Sequence, residues 1–173
     1  MKNIKLYVPQ IEDLWFRKEC MEDRKTMAYN AGYNVSYGGY HYESGCIDFP
    51  EEKFERWYKE TMLRIFYAYV LDQDLNKFVG YCNFKLDKTS GRASMGIVIK
   101  DEFRGQGYMT PALKLLIEEA KKQGVKVLTD SVPISRENAL KVFYKLGFKN
   151  AGQFTVEKFG KEEIVMQIEL NLE

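Results

Sequence analysis

Apolar residues along this chain follow two periods, one near two and one near three and a half, and the changes between them mark the elements. Residues 4–8 read as a strand closed by Pro9, and residues 10–22 gather Ile11, Leu14, Trp15 and Met21 near one helical face. A second helix is predicted from Pro50, whose fixed φ suits a first turn, with Glu51 and Glu52 complementing the dipole. Its apolar positions Phe54, Trp57, Tyr58 and Met62 keep the three-four spacing. Residues 64–71 and 77–86 are strands joined by a polar run, and Thr89-Ser90-Gly91 turns the chain into a strand ending at 99. A helix over 111–123 opens on Thr110-Pro111 and stops at Gly124; a short apolar strand, 125–129, follows. The last helix spans about 136–146, and residues 152–159 and 162–170 form a hairpin around Gly160-Lys161. The pattern predicts an antiparallel meander that changes to a parallel crossover after residue 99. That is an α/β (α+β) chain with a mixed sheet of about seven strands and four helices.

Length and composition limit the alternatives. A chain of 173 residues without repeats or linkers is expected to form a single domain, 1–173, with a real core. A net charge of +1 gives no electrostatic reason to expect nucleic acid. No apolar run approaches the ~20 residues needed to span a bilayer, and the polar start Met1-Lys2-Asn3 does not read as a signal peptide. Cys20, Cys46 and Cys82 are odd in number and lack metal-ligand spacing, so no metal and a reduced, cytoplasmic setting are expected.

The chemistry concentrates where the strand ending at Ile97-Val98-Ile99 turns into a helix through Arg104-Gly105-Gln106-Gly107-Tyr108-Met109-Thr110. Two glycines beside an arginine allow close backbone approach to a ligand, and the N–H groups of the turn converge with the positive end of the helix dipole. This is a pyrophosphate cradle. A dinucleotide fold is the sharper rival, since Gly105-x-Gly107-x-x-Thr110 is one residue short of its fingerprint and Asp130 ends the next strand. Against it, some ninety residues precede the motif and Thr110 replaces the third glycine.

The segment resembles the acyl-CoA site of the GNAT superfamily of N-acetyltransferases, whose signature is Gln or Arg, two residues, Gly, one residue, then Gly or Ala. Arg104 and Gly107 match, Met109 stands where a small residue is usual, and Lys145-Leu146-Gly147-Phe148 resembles the end of the family's last helix. The string Arg-Gly-Gln-Gly-Tyr-Met-Thr is similar to the branch containing ribosomal-protein N-terminal acetyltransferases. The resemblance implies a GNAT-type fold and acetyl transfer from acetyl-CoA to a primary amine, of a small molecule or a protein N-terminus. It implies that Ile97, Val98, Ile99, Arg104, Gly105, Gln106, Gly107, Tyr108, Met109 and Thr110 hold the cosubstrate. A CoA-binding sensor of the same fold without turnover is the alternative, and the oligomeric state, a homodimer among the options, stays open.

Proton transfer is less legible. An alkylammonium has pKa ~10 and must lose a proton before attack. The family's usual Glu falls at Ser94, and its usual acidic Tyr falls at Phe143, with Tyr144 beside it. Candidates are therefore Tyr144 as acid and His41, the single histidine, as base. The stretch 29–45 interleaves tyrosines and glycines where the family admits its acceptor, so Tyr33, Tyr40 and Glu43 are expected to contact the amine. Asp130 and Ser131 close the strand beyond the slot and are candidates to orient a water, unranked by the sequence.

Overall fold

The computed structural model describes residues 1–173. One seven-stranded sheet runs in the order β1-β2-β3-β4-β5-β7-β6. Its strands are β1 (Ile4–Tyr7), β2 (Phe66–Asp72), β3 (Lys77–Leu86), β4 (Arg92–Ile99), β5 (Val127–Pro133), β6 (Lys149–Lys158) and β7 (Lys161–Asn171). All neighbours are antiparallel except β4 and β5. The meander and the single parallel crossover are as the periodicity predicts. Five helices accompany the sheet: α1 (Leu14–Glu22), α2 (Arg24–Met27), α3 (Phe54–Met62), α4 (Met109–Lys122) and α5 (Glu137–Lys145). The one not expected, α2, is a single turn too short to show a period. Asp23 caps it by accepting from Thr26 N–H at 3.3 Å.

Two large cores and a smaller one, Val70, Val79, Ile99, Tyr108 and Ala112, hold the layers together. Leu113, Leu116, Ile117 and Ala120 of α4 and Leu140 and Phe143 of α5 pack with Ala93, Met95 and Leu128 of the sheet. Leu14, Phe16, Cys20 and Met21 of α1 pack with Tyr67, Tyr69 and Tyr81 in a second cluster, joined by the apolar positions of α3. Burying such side chains contributes roughly 1.5–3 kcal/mol each, enough to fix α4 and α5 and therefore the strand ends they follow. No helix is long and apolar enough to cross a membrane.

Candidate functional site

The site begins with a sheet that comes apart. β4 pairs with β5 only at Arg92↔Val127, Ala93↔Leu128 and Ser94↔Thr129. Beyond that point β4 stays with β3 as far as Gly80↔Ile99, while β5 stays with β7 as far as Pro133↔Val165. A wedge opens between them. Antiparallel ladders alternate the direction of their backbone groups. Lys100 N–H donates to Val79 at 2.9 Å and Asp87 N–H to Arg92 at 2.8 Å, so the even-numbered residues of β4 bond to β3. The odd-numbered ones face the wedge. Ile99 C=O accepts from Arg104 Nε at 2.9 Å, which leaves the N–H groups of Ile97 and Ile99 and the Ile97 carbonyl directed into the gap.

At the mouth of the wedge lies the glycine turn. Gly105 (φ +72°) and Gly107 (φ +87°) adopt the left-handed region, and a Cβ at either would meet open space. None of the backbone N–H groups from Gly105 to Thr110 donates to an acceptor within the protein, and Pro111 has none to offer. The expected Thr110 cap is not formed: α4 starts at Met109 with Tyr108 before it and no side-chain cap. A row of free donors at a helix start is what an anion requires. All of the residues from Gly105 to Thr110 but Gln106 line a cavity of about 420 Å³ with Ile97, Val98, Ile99, Asn138 and Val142.

Two members of the expected set work otherwise than their side-chain chemistry suggests. Arg104 lines the cavity, yet its guanidinium donates to Ile99 (2.9 Å), Thr26 (2.9 Å) and Lys25 (3.4 Å) carbonyls, tying α2 to the end of β4. Tyr108 is 1% exposed, and its hydroxyl donates to Asp72 at 2.5 Å, so beyond the packing of its ring only its backbone faces the turn's ligand space. Gln106 does not line the cavity; its amide donates to Glu102 O at 2.9 Å.

A second cavity, about 310 Å³, lies deeper along the wedge and shares Tyr29, Ile97, Val98 and Arg136 with the first. Asp130, Ser131, Tyr33, Phe154, Val156 and Val165 complete most of its wall. Tyr29 is the single hydroxyl-bearing residue common to both cavities, and burial raises its pKa, keeping it a donor. The Arg136 guanidinium sits over its ring at 5.4 Å. Tyr33 donates to Glu163 at 2.6 Å; burial and that carboxylate push its pKa far up. Asp130 is half-buried, and loss of solvation raises its carboxyl to about 7 against an opposing hydrogen bond from Ser131 N–H at 2.8 Å and the opposing charge of Arg136.

The remaining candidates fall elsewhere. Tyr144 is 39% exposed, lines neither cavity, and donates to Asn150 at 2.6 Å; Phe143 takes the inward position, packed edge-on against Phe148. His41 pairs with Asp48 at 2.8 Å within the loop, and Glu43 is exposed; neither lines a cavity. Tyr40 is a loop strut, donating to Asn30 O at 2.7 Å and accepting from Tyr33 N–H at 3.2 Å. Of the three expected acceptor contacts, only Tyr33 reaches the second cavity. The hairpin tip presses the loop into place: Phe159 N–H donates to Gly32 O at 2.8 Å and Lys158 Nζ to Tyr29 O at 3.0 Å. Tyr29 and Arg136 were not among the expected site residues. Their positions, at the head of the tyrosine-rich stretch and at the start of the last helix, are the signals that point to them.

Residues 9–149 match the acetyltransferase (GNAT) domain family. An L-methionine sulfoximine/L-methionine sulfone acetyltransferase of Pseudomonas aeruginosa is 25% identical over 126 residues, 69% of this chain and 73% of that protein. Among solved structures, spermidine N-acetyltransferase of Vibrio cholerae with CoA and spermine superposes with TM-score 0.79 at 14% identity, covering 97% of this chain and 95% of that one. An N-acetyltransferase of Staphylococcus aureus Mu50 gives TM-score 0.72 at 21% identity, with 99% of each chain covered. The expected tie to the ribosomal-protein branch is not supported: the sequence relative found is named for a small-molecule acceptor. The string that suggested it lies in the glycine turn before α4.

Proposed function

Because the chain belongs to the GNAT acetyltransferase family, we propose that it transfers the acetyl group of acetyl-CoA to a primary amine of a small molecule by direct attack. One observation carries the reading: two cavities meet at Ile97 and Val98, where β4 has lost its partner strand. In this reading the free N–H groups from Gly105 to Thr110 hold the pyrophosphate, and the unpaired edge of β4 takes the pantetheine arm as β5 would have done. An Ile97 or Ile99 N–H then faces the oxyanion that forms on attack. Tyr29, at the junction, is placed to give a proton to the departing thiolate. Arg104 fixes the end of β4 and leaves the anion to the backbone.

The acceptor enters the second cavity, whose wall combines Asp130 and Arg136 with apolar Phe154, Val156 and Val165. That mixture suits an amine carried on a short carbon chain, a description that fits both methionine sulfoximine and spermidine, named for relatives. A cytoplasmic setting, where the buried thiols of Cys20, Cys46 and Cys82 stay reduced, accompanies the reading. Incubation with acetyl-CoA and a panel of small amines, followed by free-thiol release and mass spectrometry, tests it. Amide formation on at least one amine is expected; CoA binding with no thiol release would favour the sensor reading instead.

A further inference from the structure

The acceptor cavity is lined by one acidic side chain, Asp130. We propose that Asp130 is the general base that takes the proton from the acceptor's ammonium, a role that rests on the acetyl transfer proposed above. It occupies the first position of β5 beyond Ser94↔Thr129, the last pairing with β4, and so stands at the apex of the wedge. On its far side β7 pins the backbone, with Asp130 opposite buried Ile168. The base is therefore mounted on a strand and not on a loop.

Its bonding leaves it free to act. The carboxylate accepts one hydrogen bond, from Ser131 N–H to Oδ1, and Oδ2 has no protein donor. Arg136, the one cation in the cavity wall, sits on the Tyr29 ring and makes no direct ion pair with Asp130, although its charge acts on the carboxyl and favours the ionised form. The other titratable groups around the cavity are Tyr29, Tyr33 and, through Tyr33, Glu163. Tyr33 is committed to Glu163, so neither competes for the incoming amine. A half-buried carboxylate without a direct ion-pair partner is a place for a cation, and its raised pKa, about 7, suits a base working near neutrality.

The step balances as follows. Asp130 takes one proton from R–NH₃⁺, and the nitrogen lone pair attacks the thioester carbon, forming C–N as the carbonyl electrons move to oxygen. Re-formation of C=O breaks C–S; Tyr29 gives its proton to the departing thiolate and is reprotonated by the nitrogen's second proton, and Asp130 later returns its proton to water. Acetyl-CoA and R–NH₃⁺ thus give the amide, CoA thiol and one proton.

The test is the pH profile of kcat/KM for wild type, Asp130→Asn and Asp130→Glu with L-methionine sulfoximine and spermidine as acceptors. Asn retains the acceptor for Ser131 N–H, and Asp130→Ser provides a second neutral variant held to the same outcome. Wild type should lose activity below about pH 7, with the acid limb set by Asp130. Asp130→Asn should lower kcat by about 10²–10⁴ with CoA affinity unchanged, lose that limb, and gain rate steadily towards the amine's own pKa. Asp130→Glu should recover part of the rate. A neutral variant within threefold of an active wild type, with the limb intact, overturns the base and leaves acetyl transfer standing. A wild type inactive on every amine overturns the transfer reading itself and the base with it.

Discussion

Replacing Gly107 with valine separates a ligand-binding glycine from one needed only for its backbone angle. At φ +87° a non-glycine residue is strained by about 1–2 kcal/mol, more for a β-branched one, while the space around its Cβ is empty of protein. The fold should therefore survive with a modest loss of stability. The side chain would instead occupy the space into which the N–H groups from Gly105 to Thr110 point. Lifting a phosphate from two of these donors removes about 1.5–3 kcal/mol each, a total of about 3–6 kcal/mol, or roughly 10²–10⁴-fold in Kd. Gly124, at φ +83° and also with open space at its Cβ, supplies a matched control far from the cavity. Gly124→Val should lower the thermal midpoint about as much as Gly107→Val while binding CoA like wild type. Calorimetry with CoA and thermal unfolding of both variants decide the matter. Gly107→Val binding CoA within threefold of wild type would refute the assignment of the cradle.

Three further outcomes are expected. Tyr144→Phe should leave kcat within twofold to threefold, because its hydroxyl is spent on Asn150 outside both cavities; steady-state turnover checks this. Tyr29→Phe should lower kcat by about 10²-fold, the low end of the range for a positioned donor, with CoA affinity unchanged by calorimetry. Asp130→Asn should also change how stability depends on pH. The native carboxyl keeps its proton to about 7 while the unfolded one loses it near 3.8, so wild type loses stability as pH rises between these values. At 1.36 kcal/mol per pH unit the penalty above pH 7 is at most about 4 kcal/mol. Thermal midpoints of variant and wild type should coincide near pH 4 and diverge in the variant's favour above pH 7.

The glycine turn was legible because its parts are neighbours in sequence: strand, turn and helix start occupy one continuous run, and each has a local signal. The second cavity was not. It draws Tyr29 from the first loop, Val98 from β4, Asp130 and Ser131 from β5, Arg136 from the start of α5 and Val165 from β7. No period or spacing connects residues that only the fold brings together. The strand ending at Thr129 in the sequence reading continues to Pro133 because β7 pairs with it throughout. Asp130 and Ser131 look like a strand's polar end, whereas they lie inside β5 and border a cavity. The choice between Phe143 and Tyr144 was decided by the apolar face Leu140, Phe143 and Phe148 share in the core. The tyrosine-rich loop misled in part: Tyr40 and His41 hold it together from within, and only its first members reach the second cavity.

The most direct measurement is thiol release from acetyl-CoA by the purified protein at pH 8 in the presence of L-methionine sulfoximine, L-methionine sulfone or spermidine, with the product identified by mass. Thiol release matched one for one by N-acetylated amine is the expected result for at least one acceptor. Tight CoA binding with no acetylated product from any of them would contradict acetyl transfer to a small-molecule amine.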